Sequence, residues 1–438
     1  MACPPIAPPR GDRMSMNTPR SISAGSIPTA SPTWLEGGRI PCLDGLRALA
    51  ILLVLYAHGH FPGDHLLPLR TLKGRCGFLG VQIFFVLSGF LITTLMLREV
   101  RRTGRLHLGR FYLRRALRIV PAYAAYLVLL AILDASGAAH LDSHQWLAAG
   151  TYTVNFLPAL PHPMSHLWSL CVEEHFYLLW PLMIAVLPLD WCRRAVPACM
   201  AAAFLLRWGL LLISPNAPID LLTFTRIDDI AVGCGIAFLA HEPVWRCWMD
   251  RFVASRRQLV LLLLVFALAQ VCFSRMFGAR LFPLVVLPLA VALANSVNAL
   301  TIAALMWAVL ARPSSMLGRL LNHRAAVGLG VISYSVYLWH QPLCGVGGPA
   351  WLCSFPQNLV FILLAATLSY RWIESPFLAW KDRLASARRT GASIPLGDGP
   401  PRLGAPRPSA AFRGVTARRC LQTPPYQPEE MPTANDPR

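Results

Sequence analysis

Charged residues are scarce in this sequence of 438 residues. Asp, Glu, Lys and Arg make up 14% of the chain, whereas a soluble domain carries about 25%. Lysine is almost missing, since only Lys73 and Lys381 occur. Hydrophobic residues reach 55%, and the mean hydropathy is +0.49. Several windows approach the roughly 20 apolar residues that cross a bilayer. The sequence therefore predicts an all-α, polytopic bundle of membrane helices.

The sequence also lacks the patterns that mark metal, nucleotide and serine-hydrolase sites. Its 12 cysteines contain no CxxC pair and no Cys/His metal spacing, so we expect no metal cofactor. It contains no P-loop and no GxSxG elbow. Residues 1–40 are rich in Pro, Ser and Gly and contain no apolar h-region, so we do not expect a signal peptide.

The charge that is present is mostly positive and lies between the apolar segments. The formal net charge of +19 would suit a nucleic-acid partner. However, arginines between apolar spans are also the positive-inside pattern of membrane proteins, so we expect no nucleic-acid partner. The strongest basic cluster comprises Arg98, Arg101, Arg102, Arg105, Arg110, Arg114, Arg115 and Arg118. Alternation from this cytoplasmic cluster predicts a multi-pass protein of the cell's inner (plasma) membrane with both termini cytoplasmic.

Composition divides the chain into three regions. Residues 1–40 and 381–438 are polar and rich in Pro, Ser, Gly or Arg, and we predict that both are disordered. Residues 41–380 form the membrane domain, with about ten spans. The predicted spans are 43–61, 77–97, 119–135, 167–189, 196–213, 226–241, 258–273, 281–311, 326–345 and 355–375. The segment 281–311 is long enough to cross twice, with a break near Asn295 and Asn298, although the arginine distribution favours one crossing.

His58 is the leading candidate for a general base. Arg47 and His58 are 11 residues apart, which on a helix is three turns plus roughly 20° and about 16 Å along the axis. Both side chains therefore project from one face. Ionisable groups at membrane depth cost about 2.5–3.5 kcal/mol each and usually face a protein interior. A histidine hydrogen-bonded at a helix end is the structural alternative, but Arg47 and the local Asp44 favour catalysis.

Glu173 is the second candidate. Ser169, Glu173 and Tyr177 lie at i, i+4 and i+8, so they form one stripe on a helix. Glu173 could orient a histidine, as a carboxylate fixes the tautomer of an imidazole in hydrolytic triads. The alternative is a solvated carboxylate near the lipid headgroups. The adjacent Glu174 weakens that alternative, because only one of the two can face away from the bundle.

Arg114, Arg115 and Arg118 form a candidate phosphate site. Their spacing places guanidinium groups within one turn of each other, and guanidinium groups bind phosphate in a bidentate manner. A positive-inside loop on anionic lipid has the same spacing. From spacing alone the lipid contact is the better interpretation.

Other polar and small residues in the spans have structural interpretations. Arg226 could pair with Asp229, three residues further on, or with Asp228 across the bundle. Gly80, Ser88 and Gly89 are small residues that let membrane helices approach closely, and an acyl-chain groove is the functional alternative.

Seven segments, in order from residue 43 to residue 377, carry a resemblance to a known family. They are LDGLRA with its His58, GVQIFFVLSGFLIT, FYLRRALRIVPAY, HLWSLCVEEHFYLLWP, TRIDDIAVGCGIA, ISYSVYLWHQP and IESPF. Together they resemble the acyltransferase-3 family of integral membrane O-acyltransferases. The resemblance implies a ten-span enzyme that moves an acyl group, commonly acetyl, from cytoplasmic acyl-CoA. The implied acceptor is a hydroxyl of an extracytoplasmic or membrane-linked carbohydrate.

The resemblance implies roles for matched positions. Arg115 and Arg118 match the family's RxxR element, which is proposed to hold the donor, and this match favours phosphate over lipid. The implied partners are acyl-CoA, a carbohydrate or glycolipid acceptor and the lipid bilayer, whereas the oligomeric state does not follow. The catalytic candidates are Asp44, Arg47, His58 and Glu173, the donor-binding candidates are Arg114, Arg115 and Arg118, and the further candidates are Ser333, Tyr334 and His340.

In the expected reaction, His58 takes the proton of the acceptor hydroxyl while Glu173 or Asp44 orients its imidazole. Arg47 stabilises negative charge on the carbonyl oxygen or on the donor. A transporter for a lipid-linked sugar or a small anion is the alternative function. Transporters more often show repeated halves, and no repeat is visible in this sequence.

Overall fold

The computed structural model describes residues 35, 40–59, 67–214, 216–273, 286–344 and 350–387. These residues form helices and turns without a strand, which confirms the predicted all-α class. The predicted disordered segments lie almost entirely outside the described residues. One helix crosses the predicted boundary at residue 381.

The helices are numbered in chain order. Those of the first half are α1 (Pro41–His58), α2 (Leu67–Thr103), α3 (Leu108–Ala135), α4 (Ser143–Gly150), α5 (Leu167–Val186), α6 (Leu189–Ile213) and α7 (Thr223–Ala240). Those of the second half are α8 (Pro243–Ala254), α9 (Arg256–Phe273), α10 (Val286–Ala311), α11 (Met316–Leu321), α12 (Arg324–Val331), α13 (Ser333–Leu343), α14 (Ala350–Cys353), α15 (Gln357–Ser369) and α16 (Ser375–Ala387). A π-helical turn, Tyr370–Glu374, follows α15, and α16 belongs to a separate unit.

Five of the described helices are by themselves long and apolar enough to cross a bilayer, and α8 and α9, which meet at 83°, would together make a sixth. The five are Lys73–Thr103, Leu108–Ala135, His162–Val186, Leu189–Ile213 and Val286–Ala311. The count of ten spans stays a prediction. Two of the predicted spans are not single long α-helices: 326–345 is divided at Ile332 into α12 and α13, and 355–375 ends in the π-helical turn.

The outward faces of the long helices are apolar. Leu52 on α1, Val128 on α3 and Leu178 on α5 are exposed, and so are many leucines of α6 and α9. A soluble bundle would bury such stripes, because large exposed apolar patches are rare on soluble monomers. The exposed apolar faces are therefore surfaces suited to lipid.

Helix α2 packs backbone to backbone on α7. A Cβ atom added to Gly89 would overlap the carbonyl oxygen of Ile230, and one added to Gly233 would overlap the carbonyl oxygen of Val86. Each helix therefore supplies a glycine where the other helix's backbone passes. The close-packing interpretation of Gly89 is confirmed, and this contact fixes the position of α2 in the bundle.

A fully buried ionic network joins α6, α7 and α10. Arg207 donates to both carboxylate oxygens of Asp228, at 2.9 and 2.8 Å, and Nη2 of Arg207 also reaches Ser296 Oγ at 2.7 Å. Arg226 pairs with Asp229 at 3.1 Å, so the i, i+3 pairing is the one that forms. All four charged side chains are at most 1% exposed.

Helix α10 is continuous through the positions where a break was considered. Asn295 accepts a hydrogen bond from Gln82 at 3.1 Å and another from Arg226. Asn298 accepts one from Gln270 at 3.0 Å. These amides bond to neighbouring helices within one uninterrupted helix, so the described part of 281–311 contains a single helical segment.

We predict that Gly233→Ala separates α2 from α7. The added methyl group must displace the backbone at Val86, and overpacking of this kind costs about 1–3 kcal/mol. Thermal unfolding in detergent should show a lower midpoint for Gly233→Ala. The matched control is Gly209→Ala on α6, where nothing lies within 4 Å of the added atom. Equal midpoints for the two variants would contradict the close helix contact.

We also predict that Asp228→Asn is strongly destabilising. The substitution leaves the buried Arg207 guanidinium without its counter-charge, and removal of one partner of a buried pair costs about 3–5 kcal/mol. Glu242→Gln is the control, because Glu242 pairs with Arg193 at the surface, where both side chains are 40% exposed. Such a surface pair contributes about 0–1 kcal/mol. Chemical unfolding of the purified variants measures both losses, and a small loss for Asp228→Asn would refute the proposed role of the network.

Candidate active site

A pocket lies between α1, α2, α3, α5 and α13. Six of the site residues proposed from the sequence line it, and they come from four helices: Arg47, Arg115, Arg118, Glu173, Ser333 and Tyr334. Ser88, Ser169, Tyr177 and Tyr337 complete its hydroxyl-bearing lining. The pocket thus gathers cationic, anionic and hydroxyl groups in an otherwise apolar bundle.

Glu173 is held by two hydroxyl groups. Ser88 Oγ donates to Glu173 Oε1 at 2.8 Å, and Tyr177 Oη donates to Glu173 Oε2 at 2.9 Å. Tyr177 Oη also lies 3.0 Å from Ser88 Oγ. Ser169, Glu173 and Tyr177 all line the pocket, as their i, i+4, i+8 spacing predicts.

Two of the three candidate phosphate-binding arginines line the pocket. The Arg115 guanidinium lies over the Tyr177 ring, 3.6 Å from the ring centroid, and its buried Nε has no hydrogen-bond partner among the described residues. Arg118 lines the same pocket. Arg114 is not among the lining residues and instead pairs with Glu99 at 3.1 Å. Successive residues on a helix point about 100° apart, so Arg114 and Arg115 diverge.

Arg47 reaches the pocket from α1 and is paired on its own helix. Its Nη1 atom donates to Asp44 Oδ1 at 3.0 Å. The backbone of Asp44 is fixed by α12, because a Cβ atom on Gly330 would overlap the carbonyl oxygen of Asp44. Asp44 therefore positions Arg47 at the pocket.

His58 lies at the other end of α1, about 16 Å along the helix from Arg47. Its Nδ1 atom lies 2.9 Å from the carbonyl oxygen of Val54. A carbonyl only accepts hydrogen bonds, so the proton is on Nδ1 and Nε2 keeps its lone pair. Gly77 of α2 faces this point, and a Cβ atom there would come within 3.9 Å of the imidazole.

Two further histidines surround this end of α1. The His340 ring contacts the His58 ring with centroids 4.9 Å apart, and His166 contacts His340 at 5.2 Å. His340 and His166 are 0% and 3% exposed. His58 thus contacts a side chain of α13, the helix that also carries Ser333 and Tyr334.

Tyr337 connects the histidine cluster to the pocket that Glu173 lines. Tyr337 Oη lies 2.5 Å from Ser169 Oγ and donates to the carbonyl oxygen of His166 at 2.9 Å. Its ring contacts both His166 and His340. Sequence reasoning did not single out Tyr337 or His166, although both lie in the quoted motifs and Tyr337 is one helical turn before His340.

The structure does not pair His58 with either carboxylate suggested as its orienting partner. Asp44 is bonded to Arg47 on the same helix, about 21 Å along α1 from His58. Glu173 is bonded to Ser88 and Tyr177. The backbone carbonyl of Val54 is the group that fixes the imidazole tautomer.

Among the described residues, no group of three or more neighbouring His, Cys, Asp or Glu side chains has metal-binding geometry.

Comparison with known proteins places residues 40–370 within a described family. The acyltransferase-3 family, described as an acyltransferase domain, matches this range, which covers α1 to the π-helical turn. No solved structure matches the chain.

Curated proteins from three bacteria are similar over most of this chain. A peptidoglycan O-acetyltransferase OatA of Listeria monocytogenes is 29% identical over 77% of this chain. The O-acetyltransferase OatA of Staphylococcus aureus is 28% identical over 79% of the chain, and the putative peptidoglycan O-acetyltransferase YrhL of Bacillus subtilis is 29% identical over 77%. The chain spans only 54–57% of the length of these relatives.

Proposed function

Because the chain belongs to the acyltransferase-3 family, we propose that it is a membrane-embedded O-acyltransferase. In this proposal it moves an acetyl group from cytoplasmic acetyl-CoA to a hydroxyl of an extracytoplasmic or membrane-linked carbohydrate. The names of the three relatives support acetyl transfer to a cell-wall carbohydrate. The observation that carries the proposal is the contact of one side chain, Tyr337, with both the arginine-lined pocket and the histidine cluster.

The donor phosphates bind Arg115 and Arg118 in this proposal. Arg118 makes no hydrogen bond with a described residue. One face of the Arg115 guanidinium group packs on the Tyr177 ring. Their N–H groups are therefore available, and guanidinium groups bind phosphate oxygens in a bidentate manner. Arg114 is committed to Glu99 and stays outside the donor site.

The pantetheine arm extends from the pocket toward His58. The separation of about 16 Å between Arg47 and His58 along α1 is the distance that the donor must bridge. Arg47 lines the same pocket as Arg115 and Arg118. It therefore stabilises the charge of the donor phosphates rather than that of the reacting carbonyl. Asp44 holds Arg47, and Glu173 holds the hydroxyl of Tyr177, on which Arg115 stacks.

His58 is the general base. The hydrogen bond from Nδ1 to Val54 leaves Nε2 free to take the proton of the acceptor hydroxyl. The hydroxyl oxygen bonds to the thioester carbon, the carbon–sulfur bond breaks, and the imidazolium returns the proton to the departing CoA thiolate. The products are an acetyl ester and CoA, and no net proton is taken up or released.

The proposed topology places the pocket on the cytoplasmic side and His58 toward the outside. Arg101 and Arg102 end α2, on the cytoplasmic side by the positive-inside rule. His58 of α1 faces Gly77, which lies in the outer half of α2. Ten crossings, cytoplasmic termini and the inner membrane complete this proposal.

We predict that Arg115→Ala combined with Arg118→Ala raises the KM for acetyl-CoA by about tenfold or more, because each lost charge-assisted hydrogen bond contributes about 1.5–3 kcal/mol. Maximal turnover should fall less than the affinity for the donor. Label transfer from radiolabelled acetyl-CoA measures both quantities. Arg110→Ala, which removes an exposed arginine of the same helix, is the control. An unchanged KM in the double variant would assign these arginines to topology alone.

We further predict that His58→Gln abolishes acetyl transfer while the protein stays folded in the membrane. The glutamine amide can still bond to the Val54 carbonyl, but it is too weak a base to take the hydroxyl proton. The control is His241→Gln, because His241 makes the same Nδ1 contact, at 2.8 Å, to the carbonyl oxygen of Ala237. Transfer by His58→Gln at the wild-type rate would remove His58 from the mechanism. Loss of the folded variant would assign His58 a structural role.

A further inference from the structure

His340 carries a buried hydrogen-bond acceptor that nothing in the described residues satisfies. Its Nδ1 atom lies 2.6 Å from the carbonyl oxygen of Tyr337, so Nδ1 holds the ring proton. Nε2 is then a lone-pair acceptor. That atom has no hydrogen-bond partner among the described residues, and the side chain is 0% exposed. Buried polar atoms of this kind are normally paired, so a group that can donate a hydrogen bond belongs here.

The neighbouring His58 shares the Nδ1–carbonyl contact and therefore the same tautomer. Its Nδ1 proton is also used on a backbone carbonyl one turn earlier, at Val54. The two rings meet edge to face, with centroids 4.9 Å apart and planes at 66°. The site therefore presents two adjacent imidazoles, each of which offers Nε2 as an acceptor.

Two adjacent acceptors select a ligand with two adjacent donors. A sugar ring provides them, because its neighbouring carbons carry hydroxyl or acylamino N–H groups. A monohydric alcohol or a phosphate ester does not match: the first has one donor, and the second offers mainly acceptors. The rings of His166 and Tyr337 contact the His340 ring, and the Tyr126 ring contacts His166, so aromatic edges surround the unpaired acceptor.

Resting on the proposed function, we propose that His340 binds the acceptor sugar through a second donor on the ring that carries the reacting hydroxyl. His58 Nε2 takes the proton of the reacting hydroxyl. His340 Nε2 accepts a hydrogen bond from the neighbouring hydroxyl or N–H group and thereby chooses which hydroxyl faces the thioester. His340 is a specificity determinant that recognises a pair of donors.

The test uses the full chain in proteoliposomes with radiolabelled acetyl-CoA. The acceptors are the methyl β-glycoside of N-acetylglucosamine and its monodeoxy analogues, each lacking one hydroxyl. The variants are His340→Ala, which removes the acceptor atom, and His340→Gln, which replaces it with an amide oxygen. His241→Gln is the matched control, because His241 is also buried and has the same Nδ1–carbonyl bond.

For the wild type we expect kcat/KM to fall about tenfold with one monodeoxy analogue, because the loss of a hydroxyl leaves a buried acceptor unpaired. His340→Ala should show the same fall with the parent glycoside and no further fall with that analogue. The KM for acetyl-CoA should not change. His340→Gln should recover part of the discrimination, and His241→Gln should match the wild type.

Equal penalties for every deoxy analogue in the wild type and in His340→Ala would overturn this inference while leaving acetyl transfer intact. Failure of both His340 variants to fold would also overturn it, since the residue would then be structural. If the wild type forms no labelled glycoside at all, the carbohydrate acceptor itself is wrong, and the inference falls with it.

Discussion

Every polar group inside this bundle must find its partner within the protein, because hydrocarbon supplies neither water nor counter-ions. The chain meets this constraint in two ways. Around α7 the buried charges are paired with opposite charges: Arg207 donates to Asp228, and Arg226 pairs with Asp229. In the pocket, Arg115 and Arg118 form no ion pair with a carboxylate among the described residues. The paired charges hold helices together, and we propose that the pocket arginines bind the phosphates of a ligand.

The same contrast separates the histidines. His241 and His58 both place their Nδ1 proton on a carbonyl of the preceding turn. His241 lies beside the arginine-rich end of α2. Arg101 there donates to the carbonyl oxygen of His241 at 3.2 Å. His58 instead meets His340, which in turn meets His166, so three imidazoles form one cluster. An unpaired buried acceptor such as His340 Nε2 is costly as structure, and in our proposal the substrate brings its donor.

Helix α1 carries residues of both the pocket and the histidine cluster. Asp44 and Arg47 lie near its beginning and His58 is its last residue, so a single helix sets the distance between the arginine-lined pocket and the histidine cluster. Close contacts hold α1 against its neighbours, since Gly330 abuts the backbone of Asp44 and Gly77 abuts the Ala57 side chain. Helix α13 connects the two sites: Ser333 and Tyr334 line the pocket, and the His340 ring contacts the His58 ring.

The spacing of residues along the sequence predicted contacts within one helix. It did not predict which side chains pair between different helices. The one-face relation of Ser169, Glu173 and Tyr177 and the Arg226–Asp229 pair follow from helical periodicity, and both are confirmed. The bonds of Glu173 to Ser88 and of Arg207 to Asp228 depend on which helices touch, which periodicity does not encode. Small residues such as Gly89 indicated close contact but not the partner helix. The division between α12 and α13 and the π-helical turn were not predicted, although Gly328 and Gly330 precede the division and Pro376 follows the turn.

The most direct test of the proposed donor path is an electron cryo-microscopy structure of the full chain with a non-hydrolysable acetyl-CoA analogue. We expect the phosphates against Arg115 and Arg118 and the acyl carbonyl carbon within reach of a hydroxyl held by His58 Nε2. An analogue whose acyl end stays beside Glu173, or whose phosphates lie outside the pocket lined by Arg115 and Arg118, would contradict the path.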